Sequence, residues 1–176
     1  MPMTDMGNQG ESAVIPQPCQ NDAGSESLVL APGVDTDQLV LLNQLSQLES
    51  LSNWVNQLAE QSSLSMKLAF RLDLILAEAV TNIIDYAYDD DAVHTITITA
   101  QSQATRMLIQ VVDDGLPFNP LERPEVVFPE SLEEAGEGGL GIHLIRSYSN
   151  DCCYRREGQF NILTFSLKEA VVEEQR

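Results

Sequence analysis

The stretch Leu74-Ile75-Leu76-Ala77-Glu78-Ala79-Val80-Thr81-Asn82-Ile83-Ile84 constrains the fold of this chain most. It lies within a predicted helix from about Ser65 to Ala87 and is apolar almost all round, the pattern of a helix buried inside a domain. No run reaches the roughly 18 apolar residues of a membrane span, so other layers of the same protein must cover it. Only Glu78, Thr81, Asn82 and Asp85 interrupt the cylinder, at i, i+3, i+4 and i+7, hence on one face. Two readings are open: the strip faces water, or it forms one wall of a pocket.

The flanking segments supply the layers. Leu28-Val29-Leu30 reads as a short strand ended by Pro32-Gly33, after which Asp35 or Thr36 can cap a helix over about 38–60. Leu41, Leu45, Leu48, Leu51, Val55 and Leu58 recur at spacings of three and four and define its buried face. His94 to Ala100 and Met107 to Val112 read as two antiparallel strands joined near Ser102 to Thr105. Leu140 to Tyr148 predicts a helix, and Cys152 to Arg156 with Asn161 to Leu167 predict a hairpin turned at Glu157-Gly158. Between these elements, residues 114–138 carry four prolines and six glutamates; so long a loop inside a compact domain is usually functional. The expected organisation is an acidic flexible tail over 1–26, one domain over 27–170 and a C-terminal tail over 171–176.

Charge narrows the partners. With 9 Lys+Arg against 27 Asp+Glu the net charge is −18, which repels phosphate backbones and anionic lipid. No direct nucleic-acid or membrane binding is expected, and basic protein surfaces are favoured; the absence of an apolar signal core near Met1 points to the cytoplasm. Cys19 and the adjacent Cys152 and Cys153 match no metal or redox spacing and are read as reduced thiols. His94 and His143 are isolated, which argues against a metal role. Arg155-Arg156 reads as a solvated turn, and Trp54 as core or dimer contact.

Three motifs carry chemistry. On the buried helix, the Asn82 amide oxygen is a neutral donor suited to Mg2+, and the Glu78 carboxylate one turn earlier can orient a hydroxyl or water. Val111-Val112-Asp113-Asp114-Gly115-Leu116-Pro117-Phe118 ends a strand in acids and a turn; a carboxylate fixed there accepts from the exocyclic amine of adenine and repels the carbonyl oxygen of guanine. Gly136-Glu137-Gly138-Gly139-Leu140-Gly141 opens a helix whose free N–H groups suit phosphate. It is neither a P-loop, since no Gly-Lys-Ser/Thr follows, nor a dinucleotide fingerprint.

In their order and spacing these motifs resemble the ATP site of the GHKL superfamily shared by histidine kinases, gyrase and MutL-type ATPases. Within it, Glu78-Ala79-Val80-Thr81-Asn82 with Ala87-Tyr88, Asp113 to Pro120, and Gly139 to Arg146 are similar to the boxes of the anti-sigma-factor serine/threonine kinases. The resemblance covers about residues 27–168. It implies an α+β fold of the GHKL (Bergerat) type: a two-layer α/β sandwich with a mixed, mostly antiparallel sheet, helices on one face and a mobile ATP lid over 119–138.

The resemblance also implies roles. Glu78 is the general base, Asn82 the Mg2+ ligand, Asp113 the adenine contact and Gly115 the turn beneath the base, while Gly139, Leu140 and Gly141 bind the phosphates. ATP and Mg2+ are the cofactors. The implied partners are a STAS-type anti-anti-sigma protein, a sigma factor or other regulator, and a second copy in a homodimer. The sequence departs from the family at Tyr86, where many relatives carry His, and at Glu137, where some carry a basic residue; Thr164 on the last strand is not assigned to the site.

Overall fold

The computed structural model describes residues 28–122 and 140–169. The chain forms strand β1 (Asp37–Leu42), helices α1 (Leu48–Gln61) and α2 (Met66–Tyr86), strands β2 (Thr95–Gln103) and β3 (Arg106–Asp113), helix α3 (Leu140–Tyr148), and strands β4 (Asp151–Glu157) and β5 (Phe160–Leu167). The tails over 1–26 and 171–176, and the lid beyond Glu122 including Gly139, lie outside the described residues.

The five strands lie in the order β1-β2-β3-β5-β4, and every described pair is antiparallel. The sheet expected to be mixed is therefore uniform in sense. Hairpins make β2 with β3 and β4 with β5; Gly158, at φ +58°, supplies the left-handed turn residue of the second. Residues of one parity face the helices, among them Leu41, Ile96, Ile98, Ile109, Val111, Leu163 and Phe165, and pack with α1 and α2 into one core.

The buried helix forms as its sequence predicts. Ser65 caps α2 by accepting from Leu68 N at 3.2 Å, and Leu68, Leu72, Ile75, Leu76, Ala79 and Val80 form the buried face. Each of the larger aliphatics contributes about 1.5–3 kcal/mol by leaving water. Helix α1 buries Leu51, Trp54, Val55 and Leu58. Trp54 belongs to the core, and its Nε1 donates to Asp37 Oδ1 at 2.6 Å, tying α1 to β1.

Two expectations for the N-terminal part are corrected. Residues 37–42 form an edge strand, not the start of a helix. Leu39 and Leu41 point inward by alternation, and pairing from Asp37↔Ala100 to Leu42↔Thr95 satisfies the backbone. Leu28 to Leu30 is not a strand but packs over the outer face of the sheet, where Leu28 is buried beside Leu108 and Cys153. The Gln101 side chain replaces a strand partner there, accepting from Ala31 N at 2.7 Å and donating to Ala31 O at 3.0 Å.

The cysteines need a third correction. Alternation sends Cys152 toward the helices and Cys153 to the outer face, so the neighbours cannot pair with each other. Cys152 is a free thiol, whereas Cys153 is disulfide-bonded.

Candidate functional site

A cleft opens between the C-terminal half of α2 and the sheet. Ala79, Asn82, Ile83, Tyr86 and Ala87 form the helix wall, Val111, Asp113, Asn161 and Leu163 the sheet wall, and Phe118, Pro120 and Ile145 one side. The helix wall exists because the apolar cylinder of α2 turns Ala79 and Ile83 toward the sheet, with Asn82 between them along the groove. The two readings of the polar strip are thus resolved in parts: Asn82 lines the cleft, whereas Asp85 faces solvent. Glu78 stands one turn before Asn82, half-buried and outside the lining. Neither side chain has a hydrogen-bond partner among the described residues.

Asp113 ends β3, and the residue is 6% exposed. Its Oδ1 accepts from Gly115 N at 2.9 Å and from Asn161 Nδ2 at 2.8 Å, while Oδ2 has no partner among the described residues. Burial pushes the Asp113 carboxyl above its ordinary range. The Asn161 and Gly115 bonds act against the rise, as does the Arg156 guanidinium, while the Asp114 charge adds to it. One oxygen is thereby held and the other left to a donor entering the cleft.

Position 115 has to be glycine. A Cβ there would lie 2.6 Å from Ala87 Cβ and 2.9 Å from Asp113 Oδ1, so the turn docks on the end of α2 only without a side chain. Leu116 N donates to Ala87 O at 2.7 Å in that contact. Leu140 and Gly141 are the first two residues of α3, at its N-terminus.

Sequence reasoning missed Asn161. It is 5% exposed at the start of β5, and besides Asp113 its Nδ2 donates to Leu116 O at 3.0 Å. Its Oδ1 accepts from Tyr154 Oη at 2.8 Å and from Arg156 Nη1 at 2.7 Å. Arg156 also donates to Gly115 O at 2.9 Å, so it braces the turn after β3 rather than standing in solvent. A polar residue on the face of β5 that otherwise carries Leu163, Phe165 and Leu167 was the available signal, since a buried amide needs partners. Thr164 lies fully buried on the opposite face of β5, facing away from the cleft wall that Asn161 and Leu163 form.

Beside the turn, His94 stacks on Tyr88 with ring centroids 4.1 Å apart. Its Nε2 lies 2.9 Å from Asp90 Oδ1 and its Nδ1 3.1 Å from Asp114 Oδ1, and only the imidazolium can donate to both. The Asp90 hydrogen bond, with Asp114 adding to it, holds the His94 pKa above 6.5. Burial, followed by the Asp113 and Asp114 charges, keeps the Tyr88 hydroxyl protonated far above its usual range. Among the described residues no group of His, Cys, Asp or Glu is arranged to hold a metal ion by itself.

The family of histidine kinase-like ATPase domains matches residues 41–167, from β1 through β5. The chain belongs to this family. Relatives within it include the serine/threonine-protein kinase BtrW of Bordetella bronchiseptica, 26% identical over 77% of this chain and 95% of that protein. The serine-protein kinase RsbW of Listeria innocua is 27% identical over 66% of this chain and 78% of that protein. The histidine kinase AdeS of Acinetobacter baumannii superposes with a TM-score of 0.38 at 13% identity, over 77% of this chain and 68% of that one. The chain is thus an ATPase-family domain whose relatives are serine kinases, and no described helix is long and apolar enough to cross a membrane.

Proposed function

We propose that this chain is an ATP- and Mg2+-dependent serine/threonine protein kinase and anti-sigma regulatory factor. It phosphorylates a small STAS-type anti-anti-sigma antagonist and sequesters a sigma factor or another regulator. The observation that carries this reading is the set of three unengaged polar groups around one apolar cleft: Asp113 Oδ2 on its sheet wall, the Asn82 amide on its helix wall and the Glu78 carboxylate one turn away.

Adenine donates its exocyclic amine to Asp113 while Ala79, Ile83, Val111 and Leu163 enclose the ring. A guanine carbonyl oxygen would instead face a carboxylate. Asn82 fits Mg2+ by the chemistry of its free amide oxygen, and the ion, when bound, supplies charge neutralisation at the phosphates. Leu140 and Gly141 bring backbone to the phosphates at the start of α3, and the family pattern gives Gly139 the same role. Glu78 takes the proton of the substrate serine or threonine as the hydroxyl oxygen bonds to the terminal phosphorus and the bond from that phosphorus to the ADP oxygen breaks.

The test is a pull-down from the native cell with ATP or ADP, followed by mass spectrometry and by transfer of labelled terminal phosphate to the captured STAS protein. Label on a serine or threonine of that protein supports the reading. ATP binding with no transfer would make the chain a non-catalytic, nucleotide-gated binding module.

A further inference from the structure

The turn Asp113-Asp114-Gly115-Leu116 is gripped by two groups of residues. From the β4–β5 hairpin, Asn161 holds the Asp113 carboxyl and Arg156 the Gly115 carbonyl. From the segment between α2 and β2, Ala87 O accepts from Leu116 N at 2.7 Å, and His94 Nδ1 lies 3.1 Å from Asp114 Oδ1. The Asp114 carboxylate has no other hydrogen-bond or ion-pair partner among the described residues. His94 is itself fixed in place. Its backbone N donates to Asn43 Oδ1 at 3.0 Å, its carbonyl accepts from Asn43 N at 3.1 Å, and its ring, stacked on Tyr88, is 18% exposed. The turn thus depends on one ring nitrogen for the tie at its second residue.

That tie depends on a proton. The imidazolium donates to Asp90 and Asp114 together, whereas a neutral ring has one donor. The proton it keeps lies on Nε2, because the Asp90 bond is the shorter, 2.9 Å against 3.1 Å, and the larger cause of the raised His94 pKa. Nδ1 then turns a lone pair on the Asp114 carboxylate, so the turn loses an attraction and meets a repulsion. The groups facing the ring are Asp90 from its own segment, Asp114 from the turn and the Tyr88 ring. Asp89 and Asp91 are exposed, with no hydrogen bond or ion pair among the described residues, and Asn43 bonds only the backbone of His94. Asp113 and Arg156 act on other residues of the turn. We propose that His94 is a positioning residue for nucleotide: the imidazolium, by holding Asp114, sets the turn that presents Asp113 and Gly115 to adenine, so ATP binds more tightly to the protonated form. This inference rests on the reading of the cleft as an adenine site.

The test measures ATP affinity with Mg2+ by calorimetry on the full-length chain, from about pH 6 to about pH 8.5, the interval over which an imidazole gives up its proton. His94→Gln keeps one donor but does not titrate, and Asp114→Ala removes the group that the ring holds. Titration of the ATP phosphates is common to all three chains and divides out of the affinity ratios. At the acid end wild type should bind ATP about fivefold more tightly than either variant, the lower end of the usual coupling between sites, and the advantage should fade as the ring loses its proton. The methyl resonance of Met107, buried in the core, reports an intact fold in each chain. Ratios that do not change with pH overturn the proposal. So does tighter ATP binding by Asp114→Ala, which would mean that net charge, not the position of the turn, governs affinity. Wild type that binds no ATP at any pH overturns the adenine reading and this inference together, whereas ATP binding with pH-independent ratios overturns this inference alone.

Discussion

Gly115 and Ala87 occupy a contact with no room for a methyl group: a Cβ at 115 would stand 2.6 Å from the Ala87 Cβ and 2.7 Å from its carbonyl oxygen. Gly115→Ala must therefore push the turn after β3 off the end of α2. The expected loss is about 1–3 kcal/mol, the usual penalty for overpacking. Urea denaturation measures it, and an unchanged midpoint would mean that the turn yields without strain.

Asn161→Ala strips a buried carboxyl of one of its two hydrogen bonds and leaves Tyr154 and Arg156 without their shared acceptor. Because the Asn161 bond holds the Asp113 pKa down against burial, that pKa should climb further in the variant. Carbon-detected titration of Asp113 reads the shift directly. A stability loss of about 1–3 kcal/mol should accompany it, the range for unsatisfied buried groups.

Asp113→Asn keeps the size of the side chain but can present a donor where the carboxylate only accepts. Wild type should prefer ATP to GTP, and the variant should lose about 1–3 kcal/mol of ATP affinity. Equal calorimetric binding of the two nucleotides by wild type would remove Asp113 from base selection.

Glu78→Gln separates chemistry from binding. Its side chain is outside the cleft lining, so ATP affinity should stay within a few-fold. Phosphoryl transfer should fall by roughly 10²–10⁴, the worth of a positioned general base. A variant as fast as wild type would assign Glu78 another role.

The His94 clamp predicts a pH dependence. Its folded pKa is raised above 6.5 by Asp90 and Asp114, so its contribution is complete below pH 6.5 and is lost as pH rises through the folded value. Asp90, lowered from 3.8 by the same bond, loses its contribution as pH falls through its own folded pKa. Thermal stability should thus decline on the alkaline side of pH 6.5 in wild type. His94→Gln should flatten that limb, and identical limbs would exclude the clamp.

Much of this architecture could be read from pattern alone. The α2 cylinder, both hairpins and α3 announce themselves through local periodicity and turn residues, and the structure has all of them. Strand β1 escaped because Leu41, Leu45, Leu48 and Leu51 keep a helical spacing across the boundary between a strand and a helix. What decides the matter is pairing with residues 95–100, which no local pattern contains. The cleft shows the same division. Asn82 and Asp113 stand in recognisable motifs and do line it, whereas Asn161 and Arg156 reach Asp113 and Gly115 only because β5 lies beside β3. Single polar residues acquire meaning there from topology.

The amide of Asn161 serves Asp113, the Leu116 carbonyl, Tyr154 and Arg156 at once. A lineage cannot replace it by a single step without passing through an intermediate that has an orphaned group in the protein interior. Positions 113, 154, 156 and 161 form one network in space, so change at one should travel with change at the others.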